Sequence, residues 1–189
     1  MKILLLDNHD SFTYNLAELL YRIGGSTVAV RTPEELALPE VKKYDKVIFS
    51  PGPGLPEEHP FMFRILEEFD IVKPFLGVCL GMQAMVVHFG GSLIQMTGIV
   101  HGKDQKLLVL HPEFYLFRNI PDHTAVGLYH SWAVNLAGFP DCLEITAVSS
   151  EGIVMAVHHK KYDLCGMQFH PESIITERGS LMLSNWINH

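Results

Sequence analysis

The strongest constraint on the fold is an alternation, in the first half of the chain, between short apolar runs and segments of helical spacing. "KILLLD" (2–7) is a buried run, and "SFTYNLAELLYRIGG" follows it with Phe12, Leu16, Leu19, Leu20 and Ile23 at helical spacing before Gly24-Gly25. A run without polar alternation suits a strand covered on both faces. Apolar residues three and four apart need one helix face, and paired glycines end a helix. The pattern then repeats. "STVAVR" (26–31) and "KVIFS" (46–50) read as strands around a connection holding Pro33 and Pro39. Phe61, Ile65, Leu66 and Phe69 mark a second helix; "PFLGVC" reads as a strand, and a helix from about Leu80 to Phe89 stops at Gly90-Gly91. Strands separated by helices imply a parallel sheet with helices on both faces.

The second half changes character. "SLIQM", "KLLVL", "TAVGLY", "LEITAVS", "IVMAVHH" and "LCGMQF" are β-rich runs joined by turns, and "TERGSLMLSNWIN" has the composition of a final helix. No linker, repeat or low-complexity segment divides the chain. The expectation is one α/β domain over residues 1–189, with a 48% hydrophobic content sufficient for one buried core. Its sheet should be open, mostly parallel and flavodoxin-like, flanked by helices, with an antiparallel excursion in the second half.

Charge and cysteine usage exclude several function classes. A net charge of −7 without any Lys/Arg-rich run leaves no basic face for nucleic acid. The apolar runs, broken by Asp, Gly or Pro, are too short for a membrane span. The run in "MKILLLDNHD" ends at Asp7, as a strand does and a signal peptide does not. Three cysteines without CxxC spacing argue against a disulfide framework or zinc ribbon and fit a reducing cytosol. Eleven histidines show no HExxH or HxH spacing, and His158 and His159 would face opposite sides of a strand, so no metal site is expected.

Ligands of an open parallel sheet sit outside the carboxyl ends of its strands, and three unusual segments each follow an expected strand. In "GVCLG", Cys79 lies between a strand and a helix with glycines two residues away on either side. That is the pattern of a nucleophile elbow, where small neighbours let the backbone turn sharply and the helix end favours thiolate. Alone, the pattern is outweighed by the bland reading, a small buried core residue, which most free cysteines are. In "GMQFHPES", the extended spacing of His170 and Glu172 around Pro171 lets the carboxylate fix the imidazole tautomer from behind, the relation a Cys–His–carboxylate set requires. A surface turn with an incidental His–Glu pair has the same sequence. "FSPGPGLPEE" gives a stiff loop whose amides can face a ligand, as a developing oxyanion needs, with the Leu80 amide as the usual second donor of an elbow. A plain rigid turn is the commoner meaning of Pro-Gly repeats.

These segments occur in the order and spacing of the class I, triad-type glutamine amidotransferases. The sequence resembles in particular the small subunits of anthranilate synthase and aminodeoxychorismate (para-aminobenzoate) synthase. "LLLDNHDSFTYN", "SPGPG", "GVCLGMQA", "HGK", "YHS" and "QFHPES…TERG" carry the resemblance from residue 4 to about residue 179. It implies Cys79 as nucleophile, His170 as general base and acid, and Glu172 as its orienter. It also implies Gly52 and Leu80 amides at the oxyanion, and Gly54, Gln83, Ser131 and the Trp132 backbone around a glutamine substrate. Gln83 stands one helical turn after Cys79, so the spacing independently allows it to share the nucleophile's face.

Glutamine hydrolysis through a thioester would deliver ammonia to a chorismate-binding large subunit. That large subunit is where magnesium is expected; no cofactor is expected in this chain. Segments His9, Asp10, Ser11 and His101, Gly102, Lys103 match the family's contact regions. His9 stands where tyrosine is usual, Met82 where histidine is common and Trp132 where leucine is usual; "HGKDQK" departs from His-Gly-Lys-Thr-Ser. Two other readings compete: a free-standing γ-glutamyl hydrolase-like enzyme, and a non-catalytic flavodoxin-like binding module. Gln83 and "YHS" favour free glutamine over the first, and "DNHDSFTYN" lacks the phosphate cradle that a flavin carrier would need.

Overall fold

A computed structural model describes residues 1–96 and 102–189. In chain order its elements are β1 (Lys2–Leu6), α1 (Thr13–Ile23), β2 (Thr27–Arg31), β3 (Lys46–Phe49), α2 (Pro60–Phe69), β4 (Phe75–Val78) and α3 (Leu80–His88). They continue with β5 (Leu93–Gln95), β6 (Lys103–Val109), β7 (Ala125–Leu128), β8 (Trp132–Val134), β9 (Leu143–Ser149), β10 (Val154–His159), β11 (Leu164–Met167) and α4 (Gly179–Ile187). Nine strands form one sheet in the order β2-β1-β3-β4-β11-β10-β9-β6-β7, and β5 pairs with β8 apart from it. From β2 to β11 all neighbours are parallel; from β11 to β7 all are antiparallel.

The apolar runs are buried on both faces, as their lack of alternation requires. On β1, Ile3 and Leu5 pack with Leu16 and Leu20 of α1 and Met182, Leu183 and Trp186 of α4. Leu4 and Leu6 point the other way, onto Met62, Ile65, Leu66 and Phe69 of α2 and Ala84 and Met85 of α3. Each such aliphatic side chain contributes about 1.5–3 kcal/mol relative to exposure. Helix α3 has every residue from Leu80 to Val86 buried, so it carries no polar face and sits inside the molecule. Helix α2 beside it, and α1 on the other face of the sheet, are amphipathic and lie at the surface.

The topology decides where a site can form. From β1 the chain crosses one way to β2, while β3 and β4 lie on β1's other side. That reversal opens a crevice at the carboxyl ends of β1 and β3. Because β4 and β11 run parallel to them, their carboxyl ends reach the same edge. Four segments therefore converge there: Asp7–Phe12, Ser50–Gly54, Cys79 and Gln168–Glu172.

Two elements depart from the sequence expectation. Strand β6 begins at Lys103, ahead of the apolar "KLLVL", because an exposed polar stretch continues the pairing with β7. Strand β8 was not anticipated; its residues are held by pairing with β5, a non-local contact.

Candidate active site

Cys79 follows β4 directly and caps α3 with φ 52° and ψ −103°, outside the regions open to ordinary L-residues. Two glycines make this turn possible. A Cβ on Gly81 would lie 2.6 Å from the Phe49 carbonyl oxygen, and one on Gly77 would lie 2.5 Å from the Met82 amide nitrogen. Strand and helix backbones thus pass where only glycine fits. The Cys79 amide donates to the Met167 carbonyl at 2.8 Å, which fastens the turn to the end of β11. The residue is 5% exposed and lines a cavity of about 230 Å³.

Gly52, Pro53, Gly54, Gln83, Ser131 and Trp132 line the same cavity. The Pro-Gly loop is braced on several sides. Ser50 Oγ accepts from the Asn8 amide at 2.9 Å, and Asn8 Nδ2 donates to the Ser50 carbonyl at 3.1 Å. His59 Nε2 lies 2.8 Å from the Pro53 carbonyl, which can only accept, so that nitrogen carries the proton. Glu58 accepts from the Leu55 amide at 2.8 Å. A Cβ on Gly52 would lie 2.5 Å from Leu80 Cδ2, so the loop abuts the first residue of α3, where helical amides lack intrahelical partners. Gly54, at φ 74°, turns the chain away over Glu58.

Behind Cys79 stands His170, 2% exposed, its Nδ1 2.7 Å from Glu172 Oε1. The carboxylate accepts, so Nδ1 is protonated and Nε2 is left for chemistry. Nε2 is buried without a formed hydrogen bond. Burial alone would depress the imidazole pKa, but the neighbouring Cys79 and Glu172 outweigh it and hold the pKa above its usual value. The ring packs edge-on against Tyr129 (4.9 Å) and Phe12 (5.5 Å). The turn itself is anchored to β7: the His170 amide donates to Gly127, and Thr176 Oγ1 donates to the His170 carbonyl at 2.6 Å. A buried thiol at a forced turn, an imidazole oriented by a carboxylate, and backbone amides beside a small cavity are the parts an acyl-transfer site needs.

The class I glutamine amidotransferase family model matches residues 4–189. The chain belongs to this family. A Haemophilus influenzae protein provisionally assigned as anthranilate synthase component II is 41% identical over 187 residues, covering 99% of this chain and 96% of that one. The aminodeoxychorismate synthase component 2 of Klebsiella aerogenes is 38% identical over 188 residues, covering 98% and 99%. A Thermoplasma acidophilum crystal structure, provisionally assigned as one of the subunits of GMP synthase, superposes with TM-score 0.88 at 24% identity over 100% of this chain and 92% of that one, and so shares the fold.

Of the residues the sequence singles out in this amidotransferase, Gly52, Gly54, Cys79, Gln83, Ser131 and Trp132 meet at one cavity; Leu80 lies against Gly52, and His170, paired with Glu172, neighbours Cys79. Gln83 donates to the Trp132 carbonyl at 3.0 Å, so the unusual Trp132 supplies the site with backbone at least as much as with its ring. Met82 is fully buried, packed over Gly166. The candidate partner-contact residues are scattered in character. His9 is exposed at φ 61° and pairs with Glu34 at 3.3 Å. Asp10 caps the Phe12 amide at 2.8 Å, and Ser11 is exposed. Gly102 and Lys103 are exposed at the start of β6, and His101 lies outside the described residues.

Sequence reasoning missed Gln168, His130 and His59. Gln168 is fully buried and donates to Cys79 Sγ at 3.4 Å. Its signal was present: it stands two residues before His170 in an extended run. His130 is 5% exposed, and its Nδ1 donates to the Trp132 carbonyl at 2.8 Å. Desolvation lowers its pKa to about 4, so it is neutral at pH 7.

Proposed function

We propose that this chain is the glutamine-hydrolysing component of a chorismate-using synthase, with Cys79, His170 and Glu172 as its triad. The observation that carries the reading is Cys79 itself, held at φ 52° at the mouth of a cavity shared with the Pro-Gly loop. Such strain persists only where surrounding structure enforces it.

The thiolate attacks the side-chain amide carbon of glutamine, and the oxyanion that forms is met by the amides of Gly52 and Leu80. Protonated His170 gives its proton to the departing nitrogen, so ammonia leaves and a γ-glutamyl thioester remains. Neutral His170 then takes a proton from water as the water attacks the thioester, releasing glutamate and restoring thiolate and imidazolium. Gln83, Ser131, Gly54 and the Trp132 backbone hold the amino-acid end. Every group in this half-reaction is a side chain or a backbone amide, so the chain needs no cofactor; magnesium belongs to the large subunit.

The pathway and partner rest on the relatives. Proteins spanning nearly the same length are anthranilate synthase and aminodeoxychorismate synthase components, so the partner is a chorismate-binding large subunit fed with ammonia. The work is cytoplasmic in this reading, which the free cysteines suit; no helix among the described residues is long and apolar enough to cross a membrane. The test measures glutamate release by the chain alone, with a chorismate-using large subunit, and with that subunit plus chorismate. The reading expects slow release alone and acceleration by the partner. Equal rates in all three conditions would make it a free-standing hydrolase.

A further inference from the structure

The buried amide of Gln168 belongs to neither the triad nor the set of glutamine-binding groups, yet it touches both. It is the first residue beyond β11, level with Cys79 beyond β4, because Met167 pairs with Val78 in parallel register. Its backbone N–H donates a hydrogen bond to the Met155 carbonyl at 2.8 Å. Its side chain, with no exposed surface, has Nε2 3.4 Å from Cys79 Sγ and Oε1 3.0 Å from Gln83 Nε2.

The direction of these bonds follows from one acceptor. The Trp132 carbonyl can only accept, so the end of Gln83 that faces it at 3.0 Å must be its amide nitrogen. The second hydrogen of that nitrogen meets Gln168, which must therefore present its oxygen. Gln168's own nitrogen is then left facing the sulfur. Gln83 thus donates both to the Trp132 carbonyl and to Gln168, and Gln168 donates to the nucleophile, which leaves Gln83's carbonyl oxygen as the end these bonds do not use.

We infer that Gln168 is a further residue of the catalytic apparatus, an N–H donor that stabilises the Cys79 thiolate and ties it to the substrate-binding Gln83. A hydrogen bond to a charged acceptor is roughly twice as strong as a neutral one, and burial removes competing water. The donor favours thiolate over thiol for that reason. A substrate group held by Gln83's oxygen polarises the same bonds, so occupancy of the cavity reaches the sulfur without a moving part. The inference rests on Cys79 being the nucleophile but not on the identity of the substrate.

Two variants separate the two bonds. Gln168→Met keeps the volume and removes both. Gln168→Glu keeps an acceptor for Gln83 but puts a carboxylate beside the sulfur. The readout is the pH dependence of iodoacetamide alkylation, followed on the Cys79 peptide by mass spectrometry so that Cys142 and Cys165 do not contribute. The half-maximal pH should rise by about one unit in Gln168→Met. It should rise further in Gln168→Glu, while KM for glutamine stays nearer that of the unaltered protein than in Gln168→Met. A half-maximal pH unchanged in both variants overturns the inference. A measurement on the unaltered protein guards against misfolding: the Gln168 side-chain amide resonances should titrate with the same midpoint as alkylation. Resonances that do not move with Cys79 overturn it as well. If glutamine proves not to be the substrate, the alkylation and resonance results still stand or fall by themselves.

Discussion

Replacing Cys79 by glycine should make this protein inactive and more stable than replacing it by alanine. At an ordinary position the order is the reverse, because glycine loses more backbone freedom on folding, by roughly 0.5–1 kcal/mol relative to alanine. Cys79 is not ordinary: with φ 52° and ψ −103°, its Cβ is held in a region that L-residues avoid. Strain of this kind is worth about 1–3 kcal/mol, and glycine relieves it while alanine keeps it. Both variants lose the sulfur and its small packing contribution, so that term cancels between them. Setting relief against entropy leaves glycine ahead by about 1 kcal/mol. For a chain of this size that is a rise of roughly 2–4 °C in Tm. Urea and thermal unfolding of the two purified variants would measure it. Alanine more stable than glycine by the usual margin would refute the strain argument, and with it the view that Gly77 and Gly81 exist to hold the nucleophile in a forced turn.

Further outcomes follow from the same geometry. Glu172→Gln should leave the fold and KM near their original values while kcat falls by about 10²–10⁴, because the amide stabilises imidazolium poorly; an unchanged rate of thioester formation would remove Glu172 from the mechanism. His130 is held neutral by burial, with its pKa lowered from 6.5 to about 4. Between those values the unfolded chain binds the proton and the folded chain does not, so stability falls as pH drops through that window. The full effect is on the order of 3 kcal/mol, and His130→Gln should lose less stability than the parent between pH 7 and 4. Parallel losses would show that His130 does not titrate there.

Much of the site was legible because its chemistry is local. Gly77, Cys79 and Gly81 lie within five residues, and the steric reason for both glycines is a contact each makes within its own strand–turn–helix unit or with the adjoining strand. The His170–Glu172 pair is likewise two residues apart and meets at 2.7 Å. The parallel half of the sheet was legible because burial on both faces removes polar alternation from β1, β3 and β4. What stayed hidden depends on distant pairing. Strand β11 reads like the antiparallel runs around it, and only its register against β4 brings Gln168 level with Cys79. Strand β8 is three residues long and takes its conformation from β5. His59 reaches Pro53 six residues back, across a loop whose path no periodicity encodes.

The most direct test of the central claim is rapid-quench trapping of the chain, assembled with its large subunit, during glutamine turnover. Intact-protein and peptide mass spectrometry should find a γ-glutamyl adduct on the peptide carrying Cys79, formed within one turnover, removed by hydroxylamine and absent from Cys79→Ala, which should still support product formation from ammonium salts. Glutamate release at full rate by Cys79→Ala, with no adduct on the parent at any time, would contradict the account.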